Sequence, residues 1–350
     1  MDSFIYAVLD DIADQIACFS ISHIPTVYIG GGTPSVLGAQ RMEYLLTGLN
    51  SLIQALNAVP AEFTVEANPE SADSTFLQAC INGGVTRISL GVQSFHDPSR
   101  RAVHREGNKV LLEERIALTS ELFPGAFSAD LITGLPLQSM AVLENDIHRL
   151  LSFRPAHVSL YSLIVEPPCS GEYNSDEADN LWIAGRDMLE NSGFAQYEVS
   201  NFALPHKACT HNIRYWRMEN WLGAGPAASG TIIDERSGTG RRSTYQTDVQ
   251  AYLAAPRPRF QSALIEELSR CGLIRESLLM GFRYRGGPCP QSFVQRFKCR
   301  IEDCIPQTIS RWRRRDFFDK AGSLAPSREG LLFLNGFLSD AFTELSSLRP

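Results

Sequence analysis

Thr26-Val27-Tyr28-Ile29-Gly30-Gly31-Gly32-Thr33-Pro34-Ser35 is the stretch on which the fold turns. Four β-type residues run into three consecutive glycines, a helical pattern covers about 40–57, and Glu62-Phe63-Thr64-Val65-Glu66 reads as a second strand. The alternation then repeats. Helix 71–82 leads to strand Arg87-Ile88-Ser89-Leu90, helix 109–122 to strand Phe127 to Ile132, and helix 140–152 to strand Val158 to Tyr161. Strands separated by helices of this length pair in parallel through right-handed crossovers, so the expectation is a β/α barrel or an open parallel sheet. Upstream, Ile5, Val8, Ile12 and Ile16 share one helical face while Asp10, Asp11 and Asp14 lie off it, so the chain opens on an amphipathic helix.

Composition limits what such a fold can do. The 350 residues are 44% hydrophobic and 20% charged with a net charge of −7, the profile of a soluble globular protein of two domains. No basic arm or acidic tail marks it for nucleic acid. The first basic residue is Arg41, so no positive region precedes an apolar leader, and no apolar run approaches a membrane span; cytoplasm is the expected location. The eight cysteines, at 18, 80, 169, 209, 271, 289, 299 and 304, are too scattered for a disulfide framework or a CxxC metal knuckle. They read as reduced, mostly buried thiols.

In a parallel β/α fold the loops after the strands gather at one face, where chemistry is found. The unusual residues fall there. Gly30 to Ser35 follows the first strand, Glu66-Ala67-Asn68-Pro69 the second and Gly91-Val92-Gln93-Ser94-Phe95 the third; Asp130 lies in the fourth, and Tyr161 to Glu166 closes the fifth. Each alone is a plain turn or a satisfied structural carboxylate, but five in succession point to a shared site. The triple glycine lets a ligand approach the backbone, and it lacks the GxGxxG and GxxxxGK[ST] spacings of phosphate-binding turns. Glu66 and Asp130 can accept from an ammonium or ribose hydroxyls, while Gln93 donates and accepts. A ligand carrying amine, carboxylate and ribose is expected.

Past the fifth strand the pattern is a helix over 171–195, a short strand at Tyr197 to Val199, and the glycine-rich Leu222-Gly223-Ala224-Gly225-Pro226-Ala227-Ala228, which either approaches a ligand or turns corners. A Ser/Gly/Arg-rich patch at 236–243 with Pro256 and Pro258 reads as a linker. Helices are expected over 261–280, 291–297, 301–313 and 328–343, and the Arg311-Trp312-Arg313-Arg314-Arg315 run reads as a solvated face or helix C-terminus rather than a phosphate site.

The series Gly30 to Ser35, Glu66 to Pro69, Arg87 to Phe95, Asp130-Leu131-Ile132-Thr133-Gly134-Leu135-Pro136 and Ser159-Leu160-Tyr161 resembles the radical S-adenosylmethionine family of oxygen-independent coproporphyrinogen III oxidase and the haem chaperone HemW. The resemblance runs in order from residue 1 to about 235. Cys209-Thr210-His211-Asn212-Ile213-Arg214-Tyr215-Trp216 is similar to the chaperone branch's C-x-H-N-x-x-Y-W segment. The fold it implies is α/β: an incomplete parallel (β/α) barrel over 1–235 with a chaperone-type extension from about 170, a linker at 236–258, and a small helical, winged-helix-like domain over 259–350. Gly31, Gly32 and Thr33 would hold the methionyl part of S-adenosylmethionine, with Glu66, Gln93 and Asp130 as further contacts. Cys209, His211, Asn212, Tyr215 and Trp216 form the haem-handling segment. The implied function is haem binding and transfer to a haem-accepting protein. Oxidative decarboxylation of coproporphyrinogen III and a cluster-free binding or scaffold role stand as alternatives, and catalytic residues are not assigned.

Two departures from the family pattern follow. The family's C-x3-C-x2-C loop, which binds a [4Fe–4S] cluster, is absent from this chain, so no metal ligands are assigned. Either an upstream segment carries it, as the start at the family's first helix suggests, or the chain is a cluster-free relative. In Val103-His104-Arg105-Glu106-Gly107, where the family has G-R-x-H, the arginine that reaches the cofactor carboxylate is replaced by His104, a shorter contact, with Arg105 one residue out of register.

Overall fold

A computed structural model describes residues 2–105, 108–163, 175–320 and 322–347; Glu106, Gly107, Glu166 and Cys169 lie outside them. The chain divides into two compact units, His23–Thr210 on one hand and Met1–Ser22 with His211–Pro350 on the other.

Helix α1 (Asp2–Cys18) belongs to the second of these. The sheet unit then runs β1 (Thr26–Ile29), α2 (Gly38–Ala55), β2 (Glu62–Ala67), α3 (Ser74–Asn82), β3 (Arg87–Gln93), α4 (Asp97–Ala102), α5 (Lys109–Leu122), β4 (Phe127–Thr133), α6 (Met140–Ser152), β5 (His157–Ser162), α7 (Ser175–Asn191), β6 (Ala195–Gln196) and β7 (Asn201–Ala203). One seven-stranded sheet has the order β1-β2-β3-β4-β5-β7-β6, with β1 to β5 parallel and β7 and β6 antiparallel. Of the two forms that the strand–helix alternation allows, it is the open sheet and not a closed barrel, in keeping with the incomplete barrel that the resemblance implies. The strand expected at Tyr197 to Val199 falls instead on β6 and β7, because 197–200 form the turn between them. Asp73, Asn108 and Ser139 start α3, α5 and α6 by accepting from backbone N–H groups of the first turn.

One face of this sheet is apolar. Val65, Ile88, Leu90, Val92, Phe127, Ala129, Val158 and Leu160 are sealed at 0% exposure. Helix α5 packs on β3 and α7 on β4 and β5, so close that a Cβ on Gly185 would sit 2.9 Å from Leu160 Cδ2. The opposite face is polar, and it positions the site.

The second unit joins α1 to α8 (Thr210–Trp216), β8 (Ser229–Asp234), β9 (Thr239–Thr244), α9 (Val249–Ala254), β10 (Leu264–Leu268), α10 (Arg270–Arg283), α11 (Pro290–Phe297), α12 (Ile301–Cys304), α13 (Pro306–Arg313) and α14 (Leu334–Ser347). Its three-stranded antiparallel sheet has the order β10-β9-β8. Four expectations change here. The stretch 236–258 holds a strand and a helix rather than a bare linker, since Ser237 and Gly238 make the β8–β9 turn. The front of the helix expected at 261–280 is β10, because Glu266 and Glu267 lie opposite Arg242 and Arg241 on β9; Ser269 then caps α10. Asp11 on α1 is fully buried, not off the packed face, because Tyr245 and Tyr252 donate to its carboxylate at 2.8 and 2.9 Å. Gly223 and Gly225 belong to the same packing: Gln15 Nε2 donates to Gly223 O at 2.9 Å, and a Cβ on Gly223 would lie 2.4 Å from Ser229 O. In the arginine run, Arg311 pairs with Asp340 at 2.9 Å while Arg313 and Arg315 lie over Phe318 and Trp312. Of the seven described cysteines only Cys80, Cys209 and Cys304 are buried, so the thiols are free as expected but not mostly buried.

Candidate functional site

Side chains on a strand alternate between faces, so every second residue of β1 to β5 shares one surface. That surface carries Thr26 and Tyr28, Glu62, Thr64 and Glu66, Arg87, Ser89 and Gly91, Ser128 and Asp130, His157, Ser159 and Tyr161, in matching register; past a register shift, Gln93 falls opposite Leu131. A parallel sheet covered by helices on both faces would be apolar throughout. Five strands that alternate polar with apolar residues declare a face built to hold polar groups.

Toward the C-terminal ends of the strands the groups converge. Tyr28 Oη donates to Glu66 Oε1 at 2.6 Å, and Gly31 N donates to Glu66 Oε2 at 3.2 Å, so one carboxylate fixes the glycine turn. Gly30 has no room for a side chain: a Cβ would lie 2.6 Å from Tyr28 Cε1 and 2.7 Å from Glu66 Cδ. Gly31, at φ 82°, and Gly32 face open space. Ser89 Oγ lies 3.5 Å from Asp130 Oδ1, and Ser159 also hydrogen-bonds this carboxylate. Burial pushes the Asp130 carboxyl up to about 6, and the charge of Glu66 pushes in the same direction. Burial likewise raises Tyr28, with Glu66 and Asp130 adding, and lifts Tyr161 to about 12 with Asp130 next in effect. Two carboxylates in one half-buried place, ringed by raised acids, favour a cationic ligand.

The loops around this rim are tied together from behind. Ser35 Oγ lies 2.6 Å from Ser71 Oγ and accepts from Asn68 N at 3.0 Å, coupling the turn after β1 to the turn after β2. Gln93 is buried with φ 68° at the irregular end of β3. That backbone is held by Asp146 of α6, which accepts from Ser94 Oγ at 2.5 Å and Phe95 N at 2.8 Å, and by buried Arg100, which donates to Val92 O at 2.7 Å and pairs with Glu70 at 3.2 Å. Burial raises the Asp146 carboxyl.

The other end of the polar face is closed. Glu62 and Arg87 pair at 3.2 Å with side chains 6% and 10% exposed. Glu62 also accepts from Thr210 N at 3.0 Å and faces Cys209 Sγ at 3.1 Å, while Arg87 donates to Lys207 O at 2.9 Å. Cys209 is thus buried in a structural network. Beside it, His157 bridges Ser128 Oγ at 2.6 Å and Tyr197 Oη at 2.8 Å, and burial holds its pKa down to about 3.

The chain resembles known proteins along most of its length, although no family model matches it. It is 32% identical over 318 residues to the haem chaperone HemW of Lactococcus lactis, covering 87% of this chain and 80% of that one. The chain belongs to the HemW family. It is also 33% identical over 237 residues to HemW of Escherichia coli, covering 66% of this chain and 62% of that one. Bovine radical S-adenosyl methionine domain-containing protein 1, mitochondrial, is 32% identical over 296 residues, 79% of this chain and 65% of that one. Among solved structures, the radical SAM enzyme coproporphyrinogen III oxidase (HemN) of E. coli superposes with a TM-score of 0.80 at 18% identity, covering 97% of this chain and 82% of that one. That likeness gives the fold.

The residues expected from the sequence to form the sites are distributed as follows. Gly31, Gly32, Thr33, Glu66, Gln93 and Asp130 all lie in the sheet unit, with Thr33 exposed ahead of the 3-10 turn Pro34–Leu37. His104 is exposed, at φ 56°, on the turn that ends α4. His211, Asn212, Tyr215 and Trp216 lie on α8 in the second unit, where Tyr215 stands 37% exposed with its ring 4.4 Å from that of Trp221, and Arg283 lies over Trp216 at 5.8 Å. Tyr28, Ser89, Ser159, Arg87 and His157 were not singled out from the sequence. The period-two run of polar residues in β1 to β5 carries their signal.

Among the described residues no three of His, Cys, Asp or Glu are grouped to hold a metal ion. The rim does fit the amine-bearing, cationic end of a sulfonium nucleoside, since it offers glycine backbone, two carboxylates and an amide.

Proposed function

We propose that this chain is a haem chaperone, which binds haem and hands it to a haem-accepting protein, and that its sheet unit binds S-adenosylmethionine. The observation that carries the reading is the 32% identity to HemW of L. lactis over 318 residues. Bound in such a rim, S-adenosylmethionine supplies a sulfonium centre with an amino-acid tail. Gly31, Gly32 and Thr33 would receive the tail through backbone and hydroxyl groups, Glu66 would keep the turn in place, and Asp130 and Gln93 would meet the remaining polar groups. His104 would offer a weaker carboxylate contact than an arginine. A [4Fe–4S] cluster belongs to this account only with a cysteine triad that the chain does not contain.

For haem, α8 offers His211 as an iron ligand and the partly exposed ring of Tyr215, packed beside Trp221, as an aromatic contact for the porphyrin. The acceptor protein is unspecified, and the working location is the cytoplasm. Among the described residues no helix is long and apolar enough to cross a membrane.

Titrating haem into the purified chain and following the Soret band tests this reading. A saturable shift at one haem per chain is expected, weakened about tenfold or more in His211→Ala, the order of one lost ligand contact. Transfer to an apo-globin should follow at a rate above spontaneous haem release. Absence of a saturable shift overturns the chaperone reading. Decarboxylation of coproporphyrinogen III by the reduced chain would replace it with the enzyme alternative.

A further inference from the structure

The second unit contains a small cavity behind the haem-handling segment, with Trp216 belonging to both. Trp216, Ser277, Cys289, Ser292, Phe293 and Phe297 line it, and its volume of ≈ 20 Å³ admits a guest of one to a few heavy atoms. Trp216 Nε1 and Ser277 Oγ are both buried atoms without a hydrogen-bond partner, and Ser277 is only 8% exposed. Buried donors of this kind are rare in folded proteins and point to an occupant that accepts from them.

The cavity wall also carries the sulfur of Cys289, together with Ser292, Arg217 and Arg296. This residue caps α11, with Pro290 at the helix start, and is partly exposed. Ser292 Oγ lies 3.2 Å from Sγ. That hydrogen bond, the N–H groups of Ser292 and Gln291 and the charge of Arg217 together hold the thiol below its ordinary pKa. A helix N-terminus favours the thiolate, which is the nucleophilic form.

An occupant must therefore be small, accept two hydrogen bonds, and present an electrophilic atom to sulfur. Hydrogen peroxide meets all three conditions. We propose that Cys289 is a peroxide-reactive thiol whose peroxide is held by Trp216 Nε1–H and Ser277 Oγ–H. In the step, the Cys289 sulfur attacks the nearer peroxide oxygen, an S–O bond forms and the O–O bond breaks. Sulfur loses two electrons and the peroxide gains them; the departing hydroxide takes up the proton lost by the thiol and leaves as water. The product is a sulfenic acid, which a second thiol can reduce. This inference stands apart from the haem and S-adenosylmethionine readings.

The full chain supplies its own references, because Cys18 and Cys271 are exposed and lie outside this cavity. Limiting hydrogen peroxide is added, the sulfenic acid is trapped with dimedone, and each cysteine peptide is quantified by mass spectrometry. Cys289 is expected to be trapped at least about tenfold faster than Cys18 or Cys271, and faster with hydrogen peroxide than with the bulkier tert-butyl hydroperoxide. Ser277→Ala, and separately Trp216→Phe, should slow trapping severalfold while alkylation of Cys289 by iodoacetamide, which reads ionisation and access but not peroxide binding, keeps its wild-type rate. Equal trapping of all three cysteines overturns the proposal. So does an unchanged trapping rate in both variants.

Discussion

The two ends of one polar sheet face differ in how their charges are treated. At the start of the strands Glu62 meets Arg87, Thr210 N and Cys209, and His157 is clasped by Ser128 and Tyr197. Toward the other end Glu66 and Asp130 stand near each other with hydroxyls and a glycine turn but without a salt bridge among the described residues, and Asp130 is driven to about 6. The closed end is a fold-holding device whose groups are neutralised within the protein. The open end keeps unfavourable charge in place, which is what a site awaiting a cationic ligand requires.

Breaking the closed end should have the largest effect. Arg87→Met strands the Glu62 carboxylate, and a loss of about 3–5 kcal/mol in urea unfolding is expected, as for a buried pair deprived of one partner. Gly30→Ala drives a methyl into Tyr28 and Glu66, and about 1–3 kcal/mol of stability should go with it, together with ligand binding at the rim.

The pH dependence separates the two ends by sign. His157 has a folded pKa pushed down to about 3, so its contribution is full above the unfolded value and is lost as pH falls from about 6.5 toward 3. By pH 5 that loss amounts to about 2 kcal/mol, at 1.36 kcal/mol per unit, and it should vanish in His157→Gln, whose own reference stability is measured at pH 7.5. Asp130 runs the other way. Its raised pKa makes the folded state bind the proton more readily, so its penalty is absent below about 4 and grows as pH rises through about 6. Asp130→Asn should therefore gain about 3 kcal/mol at pH 7, and the gain should disappear at pH 4. Thr33→Ala, on an exposed turn, should change stability by less than about 0.5 kcal/mol, so any binding defect it shows belongs to the ligand.

The strand–helix alternation from Thr26 to Tyr161 was legible because its periods and turns are local properties of the chain. So were the rim residues, since glycine and carboxylates at strand ends stand out against apolar strands. The polar face behind them was encoded as plainly, in Glu62, Thr64, Glu66 and Arg87, Ser89, Gly91, but its meaning requires knowing that the strands are in parallel register. Asp11 shows the opposite case. Its burial depends on Tyr245 and Tyr252, more than two hundred residues away, which no helical period can reveal. The sheet β8–β10 was hidden for a similar reason, because Arg241 and Arg242 read as linker until Glu267 and Glu266 are placed opposite them.

The most direct test is calorimetric titration of S-adenosylmethionine into the wild-type chain and Asp130→Asn at pH 7.5 and pH 5. Saturable binding to the wild type is predicted, weaker at pH 5 because Asp130 takes up a proton, and weaker by on the order of tenfold in Asp130→Asn, the loss of one charge-assisted contact. Equal affinity in the two proteins, or no binding to either, would contradict the account.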